Sequence, residues 1–449
     1  MDWVSYSTLI NANYKESKMA REYIPDPCLT ESKPPSLLPP PMSEMELREE
    51  MEELAEKNTS NALCLIGAGS YRHFIPEAVN HATVYHHTLY SGYTPYQAEA
   101  AQGVLCALYE TYRMLASLSG FDLVTTHYDW ASALAEAARM AIRIGHGKRT
   151  RILASEGINP LHLAVLRTSI ELGAGCAIDI VPLHEWGMTD LTTLETKLGD
   201  DVAAVIMQTP NFFGNIEPLL PAVAEMAHKR GALFIVSQYA MSFGAMCPGE
   251  FGADIAVSDL QPFGIPVAFG GPSAGMIAAK KQFLREIPGR IVNKTVDRNG
   301  VPAYRLGYQA REQHIRREKA TSNICTNQNL MVLRAGAYLA LMGPENLRKI
   351  AEEHCFSNAH HLARQITKHD AFALAFPPSP FFNEFLVKTS LPIEEVRAKL
   401  YSAGIYPFFG IPGTIELPPE TFLVAATEQT TWRVCERVRK TLREFRRPQ

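Results

Sequence analysis

Two rhythms of apolar residues alternate along this chain. Short, nearly continuous apolar runs bounded by turn residues predict buried strands: "TRILAS" (150–155), "AIDIVPL" (177–183), "VAAVIMQTP" (202–210), "ALFIVSQ" (232–238), "ADIAVSD" (253–259) and "SAGMIAAKK" (273–281). Between them lie stretches with apolar residues every three or four positions. These are "AQGVLCALYETYRMLASLSG" (101–120), closed by Gly120 as a C-cap, "ASALAEAARMAIRIG" (131–145), "PLHLAVLRTSIELGA" (160–174) and "PAVAEMAHKRG" (221–231). Strands separated by helices of 10 to 15 residues imply βαβ units, hence a mainly parallel sheet covered on both faces, an α/β fold.

The texture changes on either side of this block. "PPSLLPPPMSEMELREEMEELAEKN" (34–58) starts as an extended proline segment and then opens a helix, with Ser43 as N-cap and Glu46 three residues on. So few apolar residues predict an arm that wraps a neighbouring surface. Downstream, "TNQNLMVLRAGAYLALMG" and "NLRKIAEEHCFSNAHHLARQITKH" predict long helices, and "FFNEFLVKTS", "PIEEVRAKLYSAGI", "TFLVAATE" and "TTWRVCERVRKTLREFR" a smaller α+β unit. The expected domains are an arm over 1–60, a large α/β domain over 61–325, and a linking helix with a small α+β domain over 326–449.

Composition narrows the function without naming it. The 449 residues carry a net charge of -4, which gives no reason to expect nucleic acid or an anionic membrane as partner. No apolar run is long enough to span a bilayer, and the first residues lack a basic segment followed by an apolar core, so the expected location is the cytoplasm. Eight scattered cysteines form no C-x-x-C pair and no Cys/His cluster at zinc spacing; reduced, buried thiols and no metal are expected.

Three loops have residue types that could carry chemistry. At "THYDWASALAEA" (126–137) a turn opens a helix, a place where free backbone N–H groups favour phosphate; alternatively Asp129 or Ser132 caps that helix and Trp130 fills the mouth. In "REQHIRREKATSNICTNQ" (311–328) four basic residues precede a hydroxyl-rich helix start, an anion site or a solvated charged face. "YSGYTPYQAEAAQG" (90–103) sets three tyrosines close together, suited to an interface or to lining a ligand.

Six stretches occur together and in order: "GAGSYRHFIP" (67–76), "YTPYQAEAAQG" (93–103), "YDWASALAEA" (128–137), "QTPNFFGNIE" (208–217), "IPVAFGGPSAG" (265–275) and "QAREQHIRREKATSNICTNQ" (309–328). From about residue 34 onward the chain resembles the glycine cleavage system P proteins, the glycine dehydrogenases (decarboxylating), and within them the alpha-type subunit 1 of the two-chain bacterial form. That resemblance implies the aspartate-aminotransferase-like architecture of fold type I pyridoxal phosphate enzymes, with a small α+β C-terminal domain. It implies a partner, subunit 2, that alone holds pyridoxal phosphate on a lysine, in a dimer of heterodimers. It also implies an aminomethyl acceptor, the lipoyl group of H protein.

Laid against that partner, the lysine position falls at Gln261 or Pro262, and the chain has no lysine between Lys229 and Lys280. An imine with an aldehyde cofactor needs a primary amine, which neither residue supplies. After "ALFIVSQ", where such enzymes place an aspartate under the pyridine nitrogen, no carboxylate follows until Glu250. Three departures stand out: Trp130 where a glycine is usual, Tyr239 where Asp-Pro is usual, and "SDLQPFGIP" (258–266) in place of a glycine-richer stretch. They suggest a cavity filled by side chains. The resemblance implies loans to the partner's site instead: Tyr93, Thr94 and Tyr96 toward the substrate pocket, and Thr321, Ser322 and Asn323 toward the cofactor phosphate. Two other readings stay open: a stand-alone pyridoxal enzyme using Lys280, Lys281 or Lys319, and a structural or regulatory pseudo-enzyme outside glycine metabolism.

Overall fold

The computed structural model describes residues 41–58, 62–90, 92, 94–324, 327–377 and 379–445. The chain divides into two units, Met1–Ser60 and Asn61–Gln449, each taken by itself. In the first, helix α1 (Glu44–Glu56) opens with the expected capping box: Ser43 Oγ accepts the Glu46 N–H, and the Glu46 carboxylate accepts the Ser43 N–H. Met45, Leu47, Met51 and Leu54 on α1 are all exposed.

The second unit begins with the short strand β1 (Leu63–Cys64), helix α2 (Glu77–Thr83) and helix α3 (Gln102–Ser119). Gly120 ends α3 in the left-handed region at φ 73°. Strand β2 (Leu123–His127) then turns directly into helix α4 (Trp130–Ile144). There follow β3 (Arg151–Ser155), α5 (Pro160–Arg167), β4 (Ala177–Val181), α6 (Leu191–Lys197), β5 (Val202–Thr209), α7 (Leu220–Lys229), β6 (Leu233–Gln238), β7 (Ile255–Asp259) and β8 (Gly275–Ala279).

Seven of these strands form one sheet in the order β2-β8-β7-β6-β5-β3-β4. Strand β8 runs antiparallel to both neighbours, and the other pairings are parallel. All eight residues of β5 are buried, which is what an apolar run produces in a strand covered on both faces. The principal core lies between this sheet and its helices, with Leu134, Met140, Ile206, Phe234 and Ile277 fully buried. Each such side chain removes enough apolar surface from water to contribute roughly 1.5–3 kcal/mol.

A hairpin that periodicity did not predict comes next, β9 (Ile291–Val296) paired with β10 (Pro302–Gly307). Helix α8 (Asn329–Lys349) is kinked at Gly343, where φ is 63° and Pro344 follows. A π-helical stretch, Ile350–Phe356, continues into α9 (Ser357–Ile366). The rest is β11 (Phe372–Leu374), β12 (Glu384–Thr389), α10 (Ile393–Ser402), β13 (Ile405–Tyr406), β14 (Thr421–Ala425) and α11 (Trp432–Arg443). Strands β11, β12 and β14 make an antiparallel sheet over a second core containing Phe385, Val387, Phe422 and Val438. Strand β1 pairs with β13, so the start of this unit is stitched to its C-terminal part.

Among the described residues, no helix is long and apolar enough to cross a membrane.

Candidate functional site

Parallel sheets bind ligands beyond the carboxyl ends of their strands, and the candidate residues gather there. Strand β2 delivers the start of α4, and Gly275 at the head of β8 lets it come close: a Cβ there would meet the Asp129 carbonyl oxygen at 2.0 Å. Asp129 is the N-cap, its carboxylate accepting the Ser132 N–H at 2.7 Å while Ser132 Oγ accepts the Asp129 N–H at 3.1 Å. Of the two readings of this loop, the capping one describes what the side chains do.

Trp130 is 2% exposed, its indole N–H donating to Ser237 Oγ at 2.8 Å. The ring lies against His162, with centroids 4.9 Å apart. Burial lowers the His162 imidazole to a pKa of about 4, so it is neutral, and its Nδ1 has no hydrogen-bond partner among the described residues. The Trp130 backbone N–H donates to the Asp259 carboxylate at 3.2 Å. Asp259 also accepts the Gln261 N–H and the Ser273 hydroxyl; burial raises its pKa to about 6 against these three bonds.

Gln261 and Pro262, the positions matched to the missing lysine, are both buried. Gln261 is used up locally, its amide donating to the Ile265 carbonyl at 3.0 Å and its oxygen accepting the Tyr71 N–H at 3.2 Å. A cavity of about 340 Å³ remains beside Trp130, bordered by Asp129, His162, Asp259, Gln261 and Ser273 and by no lysine. Lys280, one of the alternatives, has its ammonium on Asp254 at 2.6 Å, at the opposite end of β7.

Tyr71, in "GAGSYRHFIP", donates its hydroxyl to Glu384 at 2.8 Å, and Ala68 N–H reaches the same carboxylate at 2.8 Å. Burial pushes Glu384 up to a pKa of about 7. Tyr239, just beyond β6, is buried with its ring 4.4 Å from that of Tyr71 and its hydroxyl on His73.

A second cavity, of about 410 Å³, brings together two of the loops singled out by sequence: Tyr96 and Asn323 line it with Arg290, Glu312, His314 and Arg317. The buried Arg290 donates to the Tyr96 hydroxyl at 2.6 Å, lies over its ring at 4.7 Å, and pairs with the half-buried Glu312. Thr94, Thr321 and Ser322 are not in its lining: Thr94 and Ser322 are buried, and Thr321 is half-buried. Tyr93 lies outside the described residues.

One expectation needs correcting. Thr321–Asn323 do not open a helix; α8 starts at Asn329. The Thr321 N–H and hydroxyl turn back to the Arg311 carbonyl at 3.0 and 3.3 Å, and Ser322 Oγ accepts the Ile324 N–H. These local bonds hold the segment as a loop folded on Arg311. Arg290, Glu312, His162 and Asp259 were missed in the sequence, because each is a single charged or polar residue with no spacing pattern to mark it.

Comparison with known proteins now bears on this geometry. The family described as "Glycine cleavage system P-protein" matches residues 15–438. A protein of Listeria innocua named probable glycine dehydrogenase (decarboxylating) subunit 1 is 42% identical over 398 residues, 88% of this chain and 87% of that one. A protein of the same name from Moorella thermoacetica is 44% identical over 369 residues, 82% of this chain and 81% of the other. A crystal structure titled glycine decarboxylase (P-protein) of the glycine cleavage system, in inhibitor-bound form, superposes with a TM-score of 0.85 at 36% identity, over 99% of this chain and 98% of that one. A NifS-like protein superposes at 0.63 with 14% identity, over 85% of this chain and 98% of the other, and shares the fold alone. The architecture is that of fold type I pyridoxal phosphate enzymes, and a scaffold outside glycine metabolism is not favoured. The chain belongs to the glycine cleavage system P-protein family.

Proposed function

We propose that this chain is the lysine-less subunit of a glycine dehydrogenase (decarboxylating), and that the pyridoxal phosphate used by the pair is held by a second P-protein chain. One observation carries the reading: Trp130 is buried between His162 and Ser237, and the cavity left between it and Gln261 is bordered by two carboxylates and by no lysine. The residues there do not fit pyridoxal phosphate. No side chain bordering the cavity has a primary amine. The N-terminus of α4, which would attract a phosphate, already faces the carboxylates of Asp129 and Asp259, and a dianion placed beside them is repelled. No chemical step is therefore assigned to this end of the sheet.

The contribution of the chain lies in what it lends. Pyridoxal phosphate held by the partner would supply the electron sink for loss of carbon dioxide from glycine, and the lipoyl disulfide of H protein, reduced in the transfer, would accept the aminomethyl group. Tyr93, Thr94 and Tyr96 would border the substrate, with Arg290 and Glu312 fixing Tyr96 from behind. Thr321, Ser322 and Asn323 would approach the cofactor phosphate from across the interface, and two such pairs would form a heterotetramer.

The test is to replace Thr321, Ser322 and Asn323 together by alanine and measure pyridoxal phosphate affinity of the reconstituted pair. Losing charge-assisted hydrogen bonds to phosphate weakens binding by about tenfold or more. Unchanged affinity would remove this loop from the shared site.

A further inference from the structure

Beside the same strand ends, beyond Tyr239, three side chains of metal-ligand type converge from distant parts of the chain. His73 follows the 67–71 loop, Cys355 sits in the π-helical stretch Ile350–Phe356, and Glu428 lies in the turn after β14. His73 Nδ1 is 2.8 Å from Glu428 Oε2, and Cys355 Sγ is 4.0 Å from the same oxygen. All three ligand atoms lie within 4.8 Å of one another, and no other trio of His, Cys, Asp and Glu among the described residues is so placed. The His73 side chain is 1% exposed, that of Glu428 15%, and Cys355 is wholly buried.

The surroundings are those of a supported site rather than a chance meeting. Metal-binding histidines commonly engage their second nitrogen with a fixed polar group, which sets the tautomer and the ring plane. Here His73 Nε2 meets the buried Tyr239 hydroxyl, and the other Glu428 oxygen, Oε1, accepts the Phe74 N–H. Cys355 is brought in by a π-helical turn, a local widening of the helix found most often at functional sites. One imidazole nitrogen, one thiolate and one carboxylate form a donor set of borderline softness, suited to zinc-class ions; a bidentate carboxylate or a water would complete four-coordination.

We propose that His73, Cys355 and Glu428 bind a divalent ion of the zinc class that clamps the 67–74 segment, the π-helical stretch and the β14 turn together. Binding replaces the Cys355 S–H bond by a metal–sulfur bond and releases that proton to solvent. Without a cation, burial and then the Glu428 charge push the thiol pKa well up, leaving a neutral S–H against a carboxylate.

Cobalt(II) is the probe, because a thiolate ligand gives it a near-ultraviolet charge-transfer band. The full chain produced in cobalt-supplemented, zinc-depleted medium should contain one cobalt per chain and show that band. Cys355→Ser should lose it, while Cys435→Ser, a buried cysteine in α11, and Cys64→Ser, an exposed one, should retain it. Tyr239→Phe keeps all three ligands and should weaken cobalt affinity about tenfold. If the wild-type chain has no thiolate–cobalt band, or if the band survives Cys355→Ser, the site does not exist; the wild-type spectrum decides even where a variant fails to fold.

Discussion

Glu384 shows how one buried carboxyl can set a pH dependence. It accepts the Ala68 N–H and the Tyr71 hydroxyl, yet burial outweighs both and holds its pKa at about 7. The native state therefore binds a proton that the unfolded chain, with a carboxyl near 4.5, has already released. Stability from this group is fully present below the unfolded value and is lost as pH rises through about 7. Glu384→Gln removes the titration while keeping an acceptor for Ala68 and a donor for the Tyr71 oxygen. Urea unfolding of both proteins should show the variant gaining about 2 kcal/mol relative to wild type between pH 5 and pH 8, the free energy of a proton held over that pKa difference. A difference independent of pH would mean Glu384 is not titrating there. At this scale the sequence was only partly legible. The absence of lysine at Gln261 and Pro262 could be read directly, as could the bulk of Trp130. The partners of Trp130 could not: Ser237 and His162 stand 107 and 32 positions away and meet it only because β6 and α5 bring them to the same strand ends.

Elements were more legible than residues, because burial on both faces leaves a strong apolar signal. Strands β3 to β8 and helices α3, α4 and α7 lie where the runs and spacings put them. The β9–β10 hairpin left no such signal, since most of its residues are exposed or half-buried. Its turn was nonetheless written in the chain as Asp297-Arg298-Asn299-Gly300, where Asp297 accepts the N–H groups of Asn299 and Val301 at 2.8 Å each. Sequence gives even less warning of how closely two elements approach. Gly275 is an ordinary strand residue in pattern, but the start of α4 rests against it. Gly275→Ala should destabilise the chain by about 1–3 kcal/mol or more, because the new methyl meets backbone atoms that cannot rotate away. Gly103→Ala lies in the first turn of α3, where nothing stands within 4 Å of the place a Cβ would take. It should instead be neutral or stabilising by up to about 1 kcal/mol. Equal effects in denaturant titrations would show that the contact between β8 and α4 is not a constraint.

For the molecule as a whole, family resemblance carried what patterning could not. Alternating strands and helices define an α/β fold, but such folds host many chemistries, so the function had to come from the site. The site points away from itself: a scaffold of pyridoxal phosphate type sets an indole and two carboxylates at its strand ends, and its polar cavity at Tyr96, Arg290 and Asn323 lies on the loops proposed to serve a partner. The His73, Cys355 and Glu428 cluster was hidden for a similar reason, its members standing far apart in a chain without any short cysteine–histidine spacing. The most direct measurement of the central claim is borohydride reduction of the co-expressed pair in the presence of pyridoxal phosphate, followed by separation of the chains and mass spectrometry of each. The reduced phosphopyridoxyl group is expected on a lysine of the partner and on no lysine of this chain. A phosphopyridoxyl lysine anywhere in this chain, at Lys280, Lys281, Lys319 or elsewhere, would contradict it.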